Sequence, residues 1–503
     1  MEKISSTVLK VLVAICFCML PILCFSLDKK TVCPGILHNY VTYIIAAGVV
    51  VIWLYFAHNI EYKKMKPLNL WLVFILLFVG QEFICLNITF RTTWDPMAVM
   101  YSANFAALKD RDGMADMASY LSIYPSNMLL VWIYSLVYSL NNKIHITEDA
   151  LNLLQAMQCL ISSATGVLTY VCAGKLTGKE RTARIALLLY ILITGITAWL
   201  VIPYSDSTGL LLPVLLLYMA LKFYEKNDDK KRYLYLCAIG FMTYFSYRLK
   251  PLACIVVIAF VILALVNIKK TGFGLKACIS FAIGLLISVL TVNLAINSMG
   301  YELDPEAEFG WQHFIMQGVN EKSDGGNSDS DLAFSQSIPT KAERDRTNLE
   351  VAEQRIKEMG PLGCARLALV KVYRPFSSGT FGWGGVGISF YHEAYHPRFG
   401  LITKAMRSIF WEKEAYEEYE GSKTLYAIYQ IFKQIIWNAV LILCIFASIR
   451  KEQLTDGQKL LYLSVIGIFP YFILMESHPR FMLMLSPLVI LMSVMGYDKH
   501  TTK

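Results

Sequence analysis

The topology of this chain depends on one segment, residues 90–134, which reads FRTTWDPMAVMYSANFAALKDRDGMADMASYLSIYPSNMLLVWIY. It follows a long apolar run and carries an isolated acidic residue, Asp95, directly before a proline. The part from 127 to 140 is apolar but only about fourteen residues long, whereas a helix needs about 20 residues to cross a bilayer. Whether this part crosses the membrane decides on which side every later loop lies.

The composition of the chain is that of a membrane protein. Of its 503 residues, 56% are hydrophobic and only 17% are charged, with a mean hydropathy of +0.48. A soluble protein has about a quarter charged residues. Windows of about 20 apolar residues recur, and a segment in hydrocarbon must satisfy its own backbone hydrogen bonds, so we expect an all-α polytopic membrane protein. The net charge of +8 lies mostly in short loops, which indicates topology rather than binding of nucleic acid.

Twelve membrane-spanning helices are predicted, each from one apolar window. Their bounds are near 8–27, 41–57, 68–88, 151–173, 183–201, 207–224, 233–249, 252–268, 277–298, 425–449, 459–475 and 480–497. We interpret the short segment 127–140 as a re-entrant or interfacial helix that does not cross.

The basic residues of the short loops support this choice. If 127–140 does not cross, the loops with Lys and Arg fall on one face together with both termini; they lie at 63–66, 175–181, 226–232, 269–276 and 450–451. Positive residues collect on the cytoplasmic side. We therefore predict a multi-pass plasma-membrane protein with both termini in the cytoplasm and the other loops on the extracytoplasmic face.

Four regions follow from this topology. They are an N-terminal transmembrane hairpin (1–60), a transmembrane core (61–298) whose first outer loop is 89–150, a large extracytoplasmic loop (299–424) and the C-terminal transmembrane helices (425–503). In the large loop we predict a helix over 341–359 that stops at a Gly-Pro pair. The stretch 363–374, with Arg366, Lys371 and Arg374 in an otherwise apolar pattern, is interpreted as a helix on the membrane surface.

Two carboxylates on the predicted outer face are candidates for chemistry. Asp95 and Asp206 each stand where one helix ends and the next begins, so each has a structural alternative as a helix cap. The functional interpretation of Asp95 is a general base or a group that positions an acceptor just outside the bilayer. Ionisable residues near membrane depth are costly there, which favours a functional role.

Cations on the same face suggest an anionic ligand. Arg248 and Lys250 lie between two apolar helices, and Glu476, His478 and Arg480 form a further turn. Snorkelling and a Glu476–Arg480 ion pair are the structural alternatives. Two cations on the outer face oppose the positive-inside bias, however, and both Arg and Lys bind phosphate. Carboxylates and cations together are suited to transferring a group from a lipid phosphate carrier.

The order of these motifs resembles the C-type membrane glycosyltransferase superfamily, specifically the bacterial relatives of the protein O-mannosyltransferases, family 39 in the usual classification. The matching motifs cover the chain from about residue 68 onward. They are WDP (94–96), YLSIYPSN (120–127), PYSDSTGLLLP (203–213), RLKP (248–251), GWQHFIMQGVN (310–320), GTFGW (379–383) and MESHPRFMLMLSPLVIL (475–491). The outer-surface helices of that family are also consistent with a non-crossing segment at 127–140.

The resemblance implies a role for each candidate. Asp95 would be the catalytic carboxylate of the first loop, and Asp206 would match the second acidic position. The donor phosphate of a polyprenyl-phosphate sugar would face Arg248, Lys250, His478 and Arg480. Acceptor or loop positions would be Tyr124, Asn127, His313 and Glu476. The single Asp in the first loop, where some members have adjacent acids, leaves the need for a divalent cation open and no cofactor certain.

The sequence leaves three classes of activity. The first is transfer of a sugar from the lipid-phosphate donor to an extracytoplasmic glycan, lipid or protein. A flippase or transporter of polyprenyl-linked glycans would also need cations for the lipid phosphate, but the charges cluster on one face, and no paired broken helices are evident. A polymerase would differ mainly in using an oligosaccharide donor.

Overall fold

A computed structural model describes residues 2–27, 39–59, 66–225, 229–266, 274–394, 399–411, 423–449 and 453–498. The helices of the first part are α1 (Glu2–Leu27), α2 (Asn39–Asn59), α3 (Leu70–Ile88), α4 (Trp94–Leu108), α5 (Arg111–Ile123), α6 (Met128–Ile144), α7 (Ala150–Thr177), α8 (Glu180–Tyr190), α9 (Ser205–Thr208), α10 (Leu212–Glu225), α11 (Asp229–Leu249), α12 (Ile255–Val266) and α13 (Leu275–Asn297). Those of the second part are α14 (Trp311–Gly318), α15 (Asp329–Gln336), α16 (Lys341–Phe376), α17 (Trp383–Val386), α18 (Leu401–Phe410), α19 (Lys423–Ser448), α20 (Asp456–Leu474) and α21 (Phe481–Asp498). Two short strands, β1 (Phe90–Thr92) and β2 (Tyr391–Ala394), pair antiparallel and join the first loop to the large loop.

The all-α polytopic membrane architecture is confirmed. Within the described ranges, seven helices are long and apolar enough to cross a membrane: Ser6–Leu27, Leu70–Ile88, Ala150–Thr177, Ser205–Glu225, Leu275–Asn297, Thr424–Ser448 and Asp456–Leu474. Three shorter apolar helices are Asn39–Tyr55, Pro251–Val266 and Phe481–Tyr497. Within the described ranges each predicted span contains helical structure, but the number twelve stays a prediction. Of the basic loop residues used for sidedness, 63–65, 226–228, 269–270 and 450–451 lie outside the described residues.

The later part of segment 90–134, together with the residues up to 144, folds as two helices that are bent sharply against each other. Helix α5 is capped by Asp110, whose carboxylate accepts a hydrogen bond from the backbone N–H of Gly113. It ends before Pro125, since a residue preceding proline disfavours the helical conformation. A 3-10 turn then leads into α6, and the two halves meet at 113°. This bend is that of a broken span or a re-entrant loop, and α6 packs against α4 and α7.

The predicted span 183–201 is not one continuous helix. Helix α8 ends at Tyr190, a π-helical turn covers Ile191–Gly195, and a 3-10 turn follows at Ala198–Val201. The chain can unwind here because the ammonium of Lys433 on α19 donates to the carbonyls of Leu192, Ile193 and Ile196 at 2.8, 2.5 and 2.8 Å. Lys433 is 1% exposed, so these carbonyls receive a donor that water could not supply.

Glycine sets the closest helix crossing. A Cβ on Gly240 of α11 would lie 2.1 Å from the carbonyl oxygen of Phe281 on α13, and one on Gly284 would lie 1.8 Å from that of Cys237. Such small residues let helix backbones approach each other in membranes. The pair α11–α13 therefore depends on glycine at both positions.

The N-terminal hairpin packs onto the other regions. Helix α1 contacts α16, α19 and α20, and α2 contacts α19. Buried Asn39 donates to the Tyr373 hydroxyl at 2.9 Å and to the Ser377 carbonyl at 3.2 Å. Asn438 donates to the Thr42 hydroxyl at 2.9 Å. The hairpin therefore stabilises the end of α16, which leads into the GTFGW motif.

The large loop folds around α16. The predicted stop at the Gly-Pro pair is a kink inside this helix, since Gly360 has a φ of 62° and a ψ of 179°. The expectation that Lys371 and Arg374 lie along the membrane surface is wrong. Lys371 is 1% exposed and donates to the carbonyls of Gly318 and Ile473 at 2.6 and 2.8 Å, and Arg374 donates to the Ser323 carbonyl at 3.0 Å. Both cations point inward because the carbonyl groups at the C-terminal ends of neighbouring helical segments lack partners within those segments and accept their hydrogen bonds.

Candidate functional site

The candidate site is a cluster of six charged or titratable side chains, here called the charged cluster. It forms where four turns meet: the start of α4, the turn into α9, the end of α11 and the turn before α21. Its members are Asp95, Asp206, Lys250, Glu476, His478 and Arg480. All six were predicted from the sequence to lie near one membrane face.

Asp206 faces two cations. Its Oδ1 lies 2.8 Å from Nζ of Lys250 and its Oδ2 lies 3.5 Å from Nε of Arg480. The carboxylate side chain is 4% exposed, and the two cations are 15% and 16% exposed. Asp206 does not cap a helix, since it stands in the first turn of α9, whose N-cap Tyr204 makes no side-chain cap. Asp206 is therefore not the helix cap that the structural alternative predicted. It is a carboxylate that pairs with two cations.

Asp95 is held by a phenol. Its Oδ2 accepts a hydrogen bond from the Tyr204 hydroxyl at 3.0 Å. The charge of the carboxylate also acts on the nearby Tyr120 hydroxyl. Burial and the Asp95 charge raise the pKa of both tyrosines well above the usual value, so both remain donors. Asp95 does not cap α4, because the N-cap is Thr93, which makes no side-chain cap.

The backbone just before Asp95 is strained. Trp94 has a φ of 59°, a left-handed conformation that a bulky residue rarely adopts. Strain of this kind collects at functional sites, where the surrounding structure imposes it. Here the imposing contacts are the pairing of β1 with β2 and the backbone bond from Thr93 to the Phe390 carbonyl.

Glu476 pairs with His478 and not with Arg480, so the ion pair expected from the sequence is not formed. Nε2 of His478 lies 2.8 Å from Oε1 of Glu476 and 3.3 Å from the backbone nitrogen of Asn327. One ring nitrogen can satisfy only one of these contacts, and the shorter one assigns its proton to Glu476. Burial raises the pKa of Glu476, but the bond from His478 and the nearby cations outweigh burial and lower it to about 2. Burial lowers the pKa of His478, so the ring is neutral at neutral pH.

Aromatic rings surround the two cations. The Arg480 guanidinium lies 5.5 Å from the ring centre of Tyr204, 5.4 Å from that of Phe390 and 5.6 Å from that of Phe481. The Lys250 ammonium lies 4.5 Å from the Phe481 ring. Such contacts stabilise a partly desolvated cation without neutralising it. Tyr204 thus touches Asp95 with its hydroxyl and Arg480 with its ring.

A glycine loop from the large insertion closes one side of the cluster. The backbone N–H of Ser477 donates to the Gly325 carbonyl at 3.1 Å. Gly325 has a φ of 69°, and a Cβ there would lie 2.6 Å from Cδ of Lys371. Burial lowers the pKa of Lys371 to about 8, although the Glu476 charge opposes this shift. The loop GVNEKSDGGN (318–327) is therefore part of the site.

The remaining predicted residues lie around the cluster. Arg248 donates to the Tyr244 hydroxyl at 3.4 Å and to the Pro125 carbonyl at 3.5 Å. Asn127 donates to the Tyr120 hydroxyl at 2.9 Å. The pKa of Tyr124 is raised, mainly because the side chain is buried and to a smaller extent because the negative charges of Asp95 and Glu476 are close.

His313 lies apart from the cluster. It is 1% exposed and its Nδ1 lies 2.7 Å from the Ser335 hydroxyl inside the large loop. Burial lowers its pKa to about 4. The sequence pattern could not separate this buried position from an open one, because both occur in polar loops.

Several site residues have no counterpart among those predicted. They are Tyr120, Tyr204, Phe390, Lys371 and Arg374. Tyr204 was accessible to sequence reasoning, since it lies two positions before Asp206. The described part of the chain contains no group of three or more His, Cys, Asp or Glu side chains placed to hold a metal ion. The cations Lys250 and Arg480 are suited to holding a phosphate.

Comparison with known proteins gives a family and no individual relative. No curated protein matches the chain. The model of a family described as conserved hypothetical integral membrane protein matches residues 7–501. Because this match spans nearly the whole sequence, the chain belongs to that family of integral membrane proteins.

Proposed function

We propose that this protein is a membrane hexosyltransferase that moves a sugar from a polyprenyl-phosphate donor to an acceptor on the extracytoplasmic face. The acceptor is a cell-envelope glycan, a lipid or a protein. In this proposal the chain has twelve spans and cytoplasmic termini, and the charged cluster opens to the outer face. The resemblance to the family 39 glycosyltransferases is part of the same proposal.

The observation that carries the proposal is Tyr204, which connects a carboxylate with two cations. Its hydroxyl donates to Asp95, and its ring lies 5.5 Å from the guanidinium of Arg480 and 5.9 Å from the ammonium of Lys250. A base for the acceptor and a site for the donor phosphate are therefore adjacent. Transfer from a phosphate carrier needs both within one reaction site.

The transfer is a displacement at the anomeric carbon of the donor sugar. The acceptor hydroxyl oxygen forms the new bond to that carbon, and its proton passes to the Asp95 carboxylate. The bond between the anomeric carbon and the phosphate oxygen breaks, and its electron pair leaves with the polyprenyl phosphate. Lys250 and Arg480 stabilise the charge that develops on this phosphate. No nucleotide is needed for this step.

The other residues have supporting roles in the proposal. Arg248 at the edge of the cluster and His478 within it complete the donor site. Tyr124 and Asn127, which contact Tyr120, contribute together with Glu476 to the acceptor side. His313 supports the fold of the large loop, because its ring is buried against Ser335.

The test uses purified protein in liposomes with a radiolabelled polyprenyl-phosphate hexose and a mixed envelope fraction as acceptor. We expect label in the acceptor fraction, and a loss of about 10²–10⁴-fold for Asp95→Asn, the usual contribution of a general base. The matched control is Asp110→Asn, in the same loop, where the carboxylate only caps α5; it should retain transfer.

Three results would reject the proposal or redirect it. Undiminished transfer by Asp95→Asn rejects the base. Movement of the labelled lipid across the bilayer with no transfer supports a flippase. Transfer only from an oligosaccharide-linked donor supports a polymerase.

A further inference from the structure

The contacts of Asp206 differ from those of Asp95 in one respect. Asp95 accepts a hydrogen bond from the Tyr204 hydroxyl, whereas Asp206 holds two cations by charge alone. Oδ1 of Asp206 and Nε of Arg480 are both buried and have no aligned hydrogen bond among the described residues. The only hydrogen bond of the Lys250 ammonium there goes to the Ser205 hydroxyl, at 3.3 Å. Two half-buried cations thus share a carboxylate that fits neither of them well.

The guanidinium of Arg480 has unused capacity. It has five N–H donors in a planar fork that matches the oxygens of a phosphate. Among the described residues it donates no hydrogen bond, and its contact with Asp206 is that of Nε with Oδ2 at 3.5 Å. Aromatic rings hold the guanidinium in place without occupying these donors. A group with three oxygens would satisfy this fork better than the carboxylate does.

From these contacts we infer that Asp206 is the resting counter-ion of a phosphate site formed by Lys250 and Arg480, which the phosphate of an isoprenoid phosphate displaces. Asp206 is therefore a positioning residue and takes no proton from the acceptor. While the site is empty, the Asp206 carboxylate holds the side chains of Lys250 and Arg480 in their positions. When the phosphate enters, the cations turn from one anion to another, and when the product leaves, Asp206 regains them.

This role predicts an effect of opposite sign to that of a catalytic or ligand-binding carboxylate. Removing the charge of Asp206 removes a competitor, so phosphate should bind more tightly and leave more slowly. If Asp206 instead contacted the sugar or a metal, its loss would weaken binding. The inference rests on the proposed function, because it uses the donor phosphate as the displacing anion.

The experiment measures binding of farnesyl phosphate and undecaprenyl phosphate to the purified full chain in detergent. Farnesol and undecaprenol test the need for the phosphate, and inorganic phosphate tests the need for the lipid. We expect Asp206→Asn to bind the lipid phosphates about tenfold more tightly, the equivalent of one charge-assisted hydrogen bond. Its turnover in the transfer assay should fall, because release of the lipid phosphate becomes slower.

The matched control is Asp331→Asn. Asp331 is also a buried carboxylate paired with an arginine, Arg355, at 2.6 Å, but it lies in the large loop. Its loss should lower stability without changing the affinity for lipid phosphate. If Asp206→Asn does not fold alone, Lys250→Met is compared with Lys250→Met/Asp206→Asn, which removes one charge of each sign. The double variant should bind more tightly, since Arg480 then has no competitor.

The outcomes separate the inference from the proposed function. Wild-type protein that binds no lipid phosphate rejects both. Wild-type binding with equal or weaker binding by Asp206→Asn overturns the inference and leaves the proposed function intact. Tighter binding by Asp331→Asn as well also overturns it, because the effect would then come from net charge and not from competition at this site.

Discussion

Replacing Lys433 with methionine should release the interrupted helix that leads to the charged cluster. The ammonium donates to three carbonyls, those of Leu192, Ile193 and Ile196, inside the protein. A hydrogen bond from a charged donor contributes about 1.5–3 kcal/mol, so three contribute about 5–9 kcal/mol. Burying an ammonium costs several kcal/mol, and methionine avoids this cost. We therefore expect Lys433→Met to lower the free energy of unfolding by about 3 kcal/mol.

The assay combines thermal unfolding in detergent with hydrogen exchange. A loss of this size should lower the melting temperature by about 3 °C in a chain of this length. Exchange should become faster in peptides covering 191–204, because the unwound backbone loses its donor. The control is Lys459→Met, a lysine that is 3% exposed on α20 but whose ion pair with Asp456 measures 3.9 Å.

Unchanged melting and unchanged exchange over 191–204 in Lys433→Met would refute this reasoning, since the three carbonyls would then be satisfied without the ammonium. An equal destabilisation in Lys459→Met would also contradict it, because burial of the aliphatic chain would explain both. Lys433→Gln, which keeps an N–H donor on a shorter side chain, should lie between the wild type and Lys433→Met in melting temperature.

Further predictions concern the site and its supporting helices. The pKa of Glu476 is lowered from 4.5 to about 2 in the folded protein, so the hydrogen bond from His478 and the nearby cations should contribute ~3 kcal/mol above pH 4.5, lost as the pH falls towards 2. Melting curves against pH should show this loss, and Glu476→Gln should remove its share of the pH dependence in that window. Tyr204→Phe should reduce transfer about tenfold, with lipid phosphate binding retained, because Asp95 loses one donor that orients it; weaker binding with normal turnover would contradict this role. Gly284→Val should lower the melting temperature sharply, because a Cβ there would lie 1.8 Å from the Cys237 carbonyl oxygen; unchanged melting would mean that the two helices separate at little cost.

Much of the site was accessible to sequence reasoning because of where the charges stand. An ionisable residue at the end of an apolar segment is costly unless it has a partner or a function, so Asp95, Asp206, Lys250 and Arg480 could be selected from the sequence. The same rule could have selected Lys433, a lone cation in the middle of a predicted span. It was less useful for Lys371, where snorkelling to a membrane surface and burial against carbonyls give the same pattern.

The partners of these residues could not be predicted in the same way. The sequence suggested a Glu476–Arg480 pair because the two are four positions apart, yet Arg480 pairs with Asp206 and Glu476 pairs with His478. A turn between helices has no fixed periodicity, so spacing along the chain does not tell which side chains face each other.

By itself, the sequence determined the class of the protein and the position of its helices. Length and apolarity of each segment suffice for that, because a bilayer requires every span to satisfy its own backbone. Only the tertiary structure decided that Asp95 is held by the Tyr204 hydroxyl while Asp206 is held by cations. The physical reason is distance along the chain. Asp95 meets Tyr204, and Asp206 meets Arg480, only because separate helices pack with their ends together, and no local pattern encodes that packing.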